Sequence, residues 1–393
     1  MSVQGDHDVV VFGATGFTGA LTAEYLARNA PKGLRWALAG RNKAKLAAVR
    51  DWLAVIDPAL ADLALLHADS TDPESLRAVA AATKVVITTV GPYLNYGESL
   101  VAACAETGAD YVDLSGEPEF VNRMYVRYHD RAQHSGARLV HACGFDSIPF
   151  DLGTLFTVRQ LPADGPISVE AYLRVSGMPS GGTFATALTA LSRGRQHFRA
   201  LADRRGAEPE LIGRRVHQPL GRPGRNAELN AWVLPLPTLD PQIVASSAAA
   251  MDDYGPDFRY RQYVAVDRLT SAVGLAVGAA ALAGLAQVPP ARRWLIERGK
   301  PGEGPDAAKR ARSWFRVRFA GRGGGERVVT EVSGGDPGYD ESAKMLAESA
   351  LCLALDDLPK TAGQLTTATA MGDTLISRLV AAGLKFQVLT STR

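Results

Sequence analysis

Val9-Val10-Val11-Phe12 runs directly into Gly13-Ala14-Thr15-Gly16-Phe17-Thr18-Gly19, and a helical stretch follows. An apolar strand, a glycine-rich turn and a helix start leave unpaired backbone N–H groups at the positive end of a helix dipole, where a pyrophosphate can sit. The glycines fall at relative positions one, four and seven rather than one, three and six, so the backbone approaches its ligand differently from the commonest dinucleotide fingerprint. The alternative is a glycine turn that serves only the chain's own geometry. At the end of the next strand, where NAD sites usually carry an acid for the ribose 2′-hydroxyl, the chain reads Ala39-Gly40-Arg41-Asn42-Lys43, with Lys45 close behind. A planar guanidinium suits an added 2′-phosphate, so NADP(H) is expected over NAD; a solvated basic helix start is the alternative. Asp69 and Ser70, after the third strand, are expected to edge the adenine, and capping or turn formation explains them equally well. Thr89-Val90-Gly91-Pro92, after the fourth strand, is expected to edge the nicotinamide ribose.

A parallel sheet has to hold these residues along one edge. From Asp8 to about Ala142, strands at Val9–Phe12, Trp36–Ala39, Leu63–His67, Lys84–Thr89, Asp110–Val112 and Arg138–His141 alternate with helical stretches near 16–29, 43–53, 73–81, 98–106 and 118–133. Asp72 before Pro73 is an N-cap followed by proline at the first helical position. An α/β fold follows, with a Rossmann-type doubly wound parallel sheet over residues 1–160 holding NADP. Beyond it the rhythm changes. Ile167–Val175 alternates like a strand with one wet face, 183–201 reads as one helix, and 202–241, rich in Arg, Gly and Pro, reads as irregular. Trp314–Ala320 and Arg327–Val332 flank a glycine-rich hairpin turn. A second, α+β domain with antiparallel strands is therefore expected over 161–335, for substrate or oligomer contact. Helices near 341–355 and 372–382 are expected to close the chain, packing residues 336–393 back on the first domain.

Among 393 residues, Lys+Arg 43 nearly balance Asp+Glu 41, a net charge of +2, which gives no footprint for a nucleic-acid partner. With 46% apolar and 21% charged residues, the chain is globular rather than fibrous or natively unfolded. Cys104, Cys143 and Cys352 stand apart in apolar contexts, which fits a reducing compartment and argues against a disulfide framework or a zinc site. Residues 1–8 carry two acids and no apolar run, so a cytoplasmic location is expected.

Taken together, Gly13 to Gly19, Ala39-Gly40-Arg41, Gly91-Pro92-Tyr93, Tyr111-Val112-Asp113-Leu114-Ser115-Gly116-Glu117 and Gly144-Phe145-Asp146-Ser147-Ile148-Pro149-Phe150-Asp151 resemble the saccharopine dehydrogenase-like oxidoreductases. Within them the chain is most similar to the trans-acting enoyl reductase type of mycobacteria, and Gly335 to Tyr339, Lys344 to Ala350 and Met371-Gly372 extend the likeness over nearly the whole length. The resemblance implies a hydrophobic enoyl thioester substrate, carried on a polyketide synthase that builds cell-wall lipids. Hydride addition at the β-carbon would leave an enolate that needs hydrogen-bond donors, and an α-carbon that needs a proton. Candidates near the carboxyl ends of strands four to six are Tyr93 and Tyr96 on a glycine-flanked loop, and Asp146 and Ser147 after the sixth strand. Loop packing is the alternative for the tyrosines, and an N-cap for the helix at Pro149 is the alternative for Asp146 and Ser147. Asp113 and Glu117 read as acids capping the helix at Pro118, and His141 as a satisfied core histidine. An amino-acid dehydrogenase acting on a C–N bond stays open through the arginines between 193 and 225, as does an NADP-binding protein without turnover on a carrier or lipid surface.

Residues 269–291 carry no charge, and the stretch is mostly Ala and Gly, closing at Pro289-Pro290. A buried helix near 269–288 or a homodimer contact is expected. Peripheral contact with the inner face of the membrane, helped by Arg292 and Arg293, is the alternative.

Overall fold

The computed structural model describes residues 5–176, 181–298 and 304–392. Its strands in chain order are β1 His7–Phe12, β2 Trp36–Gly40, β3 Ala64–His67, β4 Thr83–Thr88, β5 Asp110–Asp113, β6 Arg138–Val140, β7 Ile167–Ser176, β8 Arg215–His217, β9 Gly224–Asn226, β10 Ala231–Pro235, β11 Asp257–Val266, β12 Trp314–Gly323, β13 Glu326–Gly334, β14 Gly363–Leu365 and β15 Lys385–Thr392. Seven of them form a wholly parallel sheet in the order β14-β6-β5-β4-β1-β2-β3. Val9, Val10 and Val11 of β1 and Val85, Val86 and Ile87 of β4 are fully buried, because helices cover both faces. β1 lies between β2 and β4, so the chain order reverses there and opens a crevice at the carboxyl ends of these strands. This is the α/β architecture read from the strand–helix rhythm.

The second sheet runs β15-β13-β12-β7-β11-β10-β9, with β8 beside β11. It is mixed: β11 pairs in parallel with β7 and β8, and its other ladders are antiparallel. The helix Ile148–Val158, apolar on nearly every side, packs on the second sheet against β7, β12 and β13. A Cβ on its Gly153 would lie 2.4 Å from the Phe319 ring, so glycine lets the helix approach β12.

Four expectations need correction. The helix read over 183–201 is two helices, Gly181–Ser192 and Gly194–Ala207, broken at Arg193. The irregular stretch contains β8, β9 and β10, each held by ladder partners in the second sheet. Residues 336–393 contribute β14 to the first sheet and β15 to the second as well as helices. Finally, the helix Leu269–Ala286 is not core: only Ala272 and Ala286 are buried. The long apolar helix rests beside Gly181–Ser192 and near β10, with most of its surface outward.

Candidate active site

Gly13 follows β1 with φ +96, and a Cβ there would lie 2.8 Å from Thr89 Oγ1 and Val90 Cγ2. Gly19 comes so close that its Cβ would meet Gly13 O at 2.2 Å. These two glycines are demanded by the chain itself. Gly16, the N-cap of the helix Phe17–Asn29, is different: it is exposed, and a Cβ would meet only Gly13 O, at 3.4 Å. No side chain caps this helix and no acid sits in its first turn, so its opening is left for an anion. Thr15 is exposed at the same mouth, Ala14 is buried beneath it, and Thr89 Oγ1 donates to Gly13 O at 3.3 Å. The Phe17 ring turns away and packs edge-on against Tyr339, and the Thr18 carbonyl accepts from Thr22 Oγ1.

At the end of β2, Gly40 is buried against Leu46 and Arg41 is exposed. Asn42 is committed to its helix, its Oδ1 accepting from Lys45 N at 3.0 Å, while Lys45 faces solvent. Asp69 spends its carboxylate on its own turn, accepting from Thr71 N and Oγ1 at 2.9 and 2.8 Å; these bonds hold its pKa low. Ser70 sits in the same turn. Val90 N donates to Thr88 Oγ1, and the Gly91–Pro92 peptide is cis.

The four side chains proposed for chemistry separate. The Tyr93 hydroxyl donates to Thr88 O at 3.2 Å and accepts from Leu114 N at 3.1 Å, inside the core against Phe120. It ties β4 to the end of β5 and has no proton to offer. Tyr96, three residues on, is exposed. Ser147 occupies the N-cap position of the helix Ile148–Val158 but makes no side-chain cap; its Oγ donates to Asp240 Oδ1 at 3.2 Å. Asp146 keeps its carboxyl free of hydrogen bonds within the described residues, at the carboxyl side of β6. Burial, and then the charges of Asp240 and Asp113, lift its pKa to about 7.

Asp240 is the group that sequence reasoning missed. It is buried, accepts from Gln262 Nε2 at 2.7 Å and from Thr238 Oγ1, and burial pushes its pKa up to about 6 against those bonds. Leu239-Asp240-Pro241 looks in sequence like an ordinary helix start, and only the fold brings it to Ser147. The expected caps also resolve otherwise. Glu117 accepts from Tyr93 N and Leu94 N, both at 2.9 Å, and so caps the turn after β4 rather than the helix at Pro118. Asp113 binds Ser115 N, Ala142 N, the Tyr111 hydroxyl and His141 Nδ1. His141 is buried, yet its Nε2 has no partner, so it is not a satisfied core histidine.

A cavity of about 890 Å³ opens between the carboxyl side of the first sheet and the second sheet, lined by Leu94, Glu117 and His141 on one side and Thr238, Tyr260 and Gln262 on the other. Among the described residues no cluster of His, Cys, Asp and Glu has metal-ligand geometry.

Residues 9–140 match the family model for the saccharopine dehydrogenase NADP binding domain. A protein of Mycobacterium tuberculosis, named as a candidate trans-acting enoyl reductase, is 41% identical over 97% of both chains. Trans-acting enoyl reductases of Mycobacterium bovis and Mycobacterium ulcerans are 38% and 36% identical, covering 98% and 99% of those proteins. The chain belongs to the trans-acting enoyl reductase family. The reductase is an NADP-dependent oxidoreductase, and the uncapped helix opening beside Gly16 and the exposed Arg41 fit that cofactor. Its fold is shared with apo saccharopine dehydrogenase (L-Glu forming) of Saccharomyces cerevisiae, at a TM-score of 0.59 and 14% identity over 98% of this chain.

Proposed function

We propose that the protein reduces the carbon–carbon double bond of a hydrophobic α,β-unsaturated acyl thioester presented by a separate synthase, in the assembly of polyketide-type lipids. Bound NADPH supplies a hydride to the β-carbon. Residues Gly13 to Thr18 take the pyrophosphate, Arg41 the 2′-phosphate, and Thr89 to Pro92 the edge of the nicotinamide ribose. The second sheet and the helix Gly194–Ala207 wall the cavity that holds the acyl chain. Asp146 delivers the proton to the α-carbon. The observation that carries this proposal is the cavity of about 890 Å³ at the carboxyl side of the NADP-binding sheet; the Asp146 carboxyl, which follows β6 and which burial lifts to about 7, suits the proton role because an acid poised near neutral pH is half protonated where the reaction runs.

Three of the nine arginines between 193 and 225 that keep a C–N dehydrogenase open are spent in close ion pairs. Arg193 pairs with Glu119, Arg204 with Glu208, and Arg214 with Asp252, which leaves them poor receptors for substrate carboxylates. The test is NADPH oxidation by the purified protein. Enoyl thioesters should drive it; consumption only with a keto acid plus an amine would transfer the assignment to C–N chemistry, and binding of NADPH without consumption on either would leave no reductase.

We also infer that the helix Leu269–Ala286 rests in a lipid surface at the inner face of the membrane. Its mean hydropathy is 1.9 with 11% of it buried, and Val273, Leu275 and Val277 are all exposed. A dimer partner covers one stripe of a helix, whereas this one is apolar all round and mostly exposed. Arg268 at its start, and Arg292 and Arg293 beyond its end, suit anionic headgroups. The protein should float with phosphatidylglycerol-containing vesicles, and Val273→Glu/Val277→Glu should abolish flotation. Wild-type protein that stays unbound, as a monomer or a dimer, would refute lipid contact.

A further inference from the structure

The Asp113–His141 pair has a geometry that packing does not require. Asp113 Oδ1 accepts from Ser115 N at 2.9 Å and Ala142 N at 2.8 Å, and Oδ2 accepts from the Tyr111 hydroxyl at 2.9 Å and meets His141 Nδ1 at 2.7 Å. Three donors besides the ring already converge on this carboxyl, and the ring completes the set through Nδ1–H. The ring cannot turn away. Tyr111 stands edge-on at 5.4 Å and Phe120 at 5.4 Å, so two aromatic neighbours hold the imidazole on its axis.

With Nδ1 assigned, Nε2 is the only polar atom of the ring left, and it has no partner although the side chain is 1% exposed. An unpaired buried nitrogen is costly if nothing ever meets it. His141 is also a lining residue of the 890 Å³ cavity, beside Leu94 and Glu117. A ring fixed by a carboxylate at one nitrogen, on a residue that lines a cavity and leaves its other nitrogen unpaired, is suited to meet a ligand's polar atom.

Resting on the enoyl reductase assignment, we infer that His141 Nε2 is a catalytic hydrogen-bond donor to the thioester carbonyl oxygen. As the hydride adds to the β-carbon, the π electrons of the double bond move toward the carbonyl, and the oxygen gains the charge of an enolate. For this, Nε2 carries a second ring proton, taken up from solvent as the thioester binds and balanced by the Asp113 carboxylate; the ring keeps that proton and hydrogen-bonds to that oxygen. The enolate then collapses, taking a proton from Asp146 at the α-carbon. NADPH leaves as NADP⁺, the double bond has gained one hydride and one proton, and His141 is unchanged.

Two variants and a pair of ligands test this. His141→Phe keeps the ring volume and removes the donor; His141→Gln places an uncharged donor near the position of Nε2. NADPH affinity, which reports the intact first domain, should stay within about threefold in both. With the enoyl thioester, kcat/KM should fall about 10²- to 10³-fold in His141→Phe, as for loss of an oxyanion donor, and less in His141→Gln. The second readout needs no turnover: wild-type protein should bind a saturated acyl thioester more tightly than the matching thioether, which lacks the carbonyl, and His141→Phe should bind the two alike. If His141→Phe loses NADPH binding, His141→Gln decides by the same pair. A wild type that reduces enoyl thioesters while both variants keep its rate and its ligand preference overturns the role of His141 and leaves the reductase assignment standing. A wild type that does not reduce them overturns that assignment instead.

Discussion

Replacing Asp146 by asparagine should stabilise the folded protein above neutral pH and at the same time cripple turnover. The Asp146 carboxyl titrates at about 7 in the fold against an ordinary 3.8. The folded chain therefore keeps a proton that the unfolded chain has released across that interval, and stability from this group is lost as pH rises from 3.8 to about 7. Each tenfold change in proton affinity is worth about 1.4 kcal/mol, so the penalty approaches about 4 kcal/mol above neutrality. Asparagine has the shape of the protonated acid and carries no charge to desolvate. The stability difference between Asp146→Asn and wild type should be small at about pH 4 and grow to about 2–4 kcal/mol by about pH 8. Asp240, raised to about 6 by burial, titrates in both proteins and largely cancels in the difference. Urea midpoints measured for both proteins across this range provide the assay, and kcat with an enoyl thioester should drop by about 10²–10⁴, the usual worth of a general acid. A difference that does not change with pH, or a variant less stable throughout, would refute the placement of this carboxyl and the proton role built on it.

Arg41→Ala should weaken NADPH binding about 10- to 100-fold, the worth of a charge-assisted bond to phosphate, while NADH affinity barely moves; calorimetry that shows equal losses removes Arg41 from the 2′-phosphate site. Tyr93→Phe should cost about 1–3 kcal/mol in a denaturation midpoint, because Thr88 O and Leu114 N lose their buried partner. Its kcat should stay within about threefold, and a large loss of kcat at unchanged stability would return Tyr93 to the reaction.

The first sheet was legible because each of its strands is a short apolar run between helix caps and turn residues. Asp72-Pro73 does open a helix, and Gly108 does close one in the left-handed conformation. The second sheet was harder. Its inner strand β11 contains Arg259 and Arg261, which point away from the interior and break the apolar signal, although the alternating Phe258 and Tyr260 are buried. β14 is three residues long, and most of β15 is exposed at a sheet edge, so neither carries a pattern of its own. The same limit governs the site. Gly13 and Gly19 are local demands of a tight turn, and spacing reveals them. Ser147 with Asp240, 93 residues apart, and Asp113 with His141, 28 apart, meet only through the sheet order, and no local rule anticipates either pair. The long apolar helix is the reverse case: composition suggested a core element, but it packs beside Gly181–Ser192 and β10 with only Ala272 and Ala286 buried.

The most direct test of the central claim is the fate of the hydride. Purified protein given an enoyl thioester and NADPH deuterated at the nicotinamide C4 should yield a saturated thioester with one deuterium at the β-carbon and a solvent-derived proton at the α-carbon, read by mass spectrometry and NMR. Unreduced thioester, or deuterium that appears only at the carbon of a newly formed C–N bond when a keto acid and an amine are supplied, would contradict it.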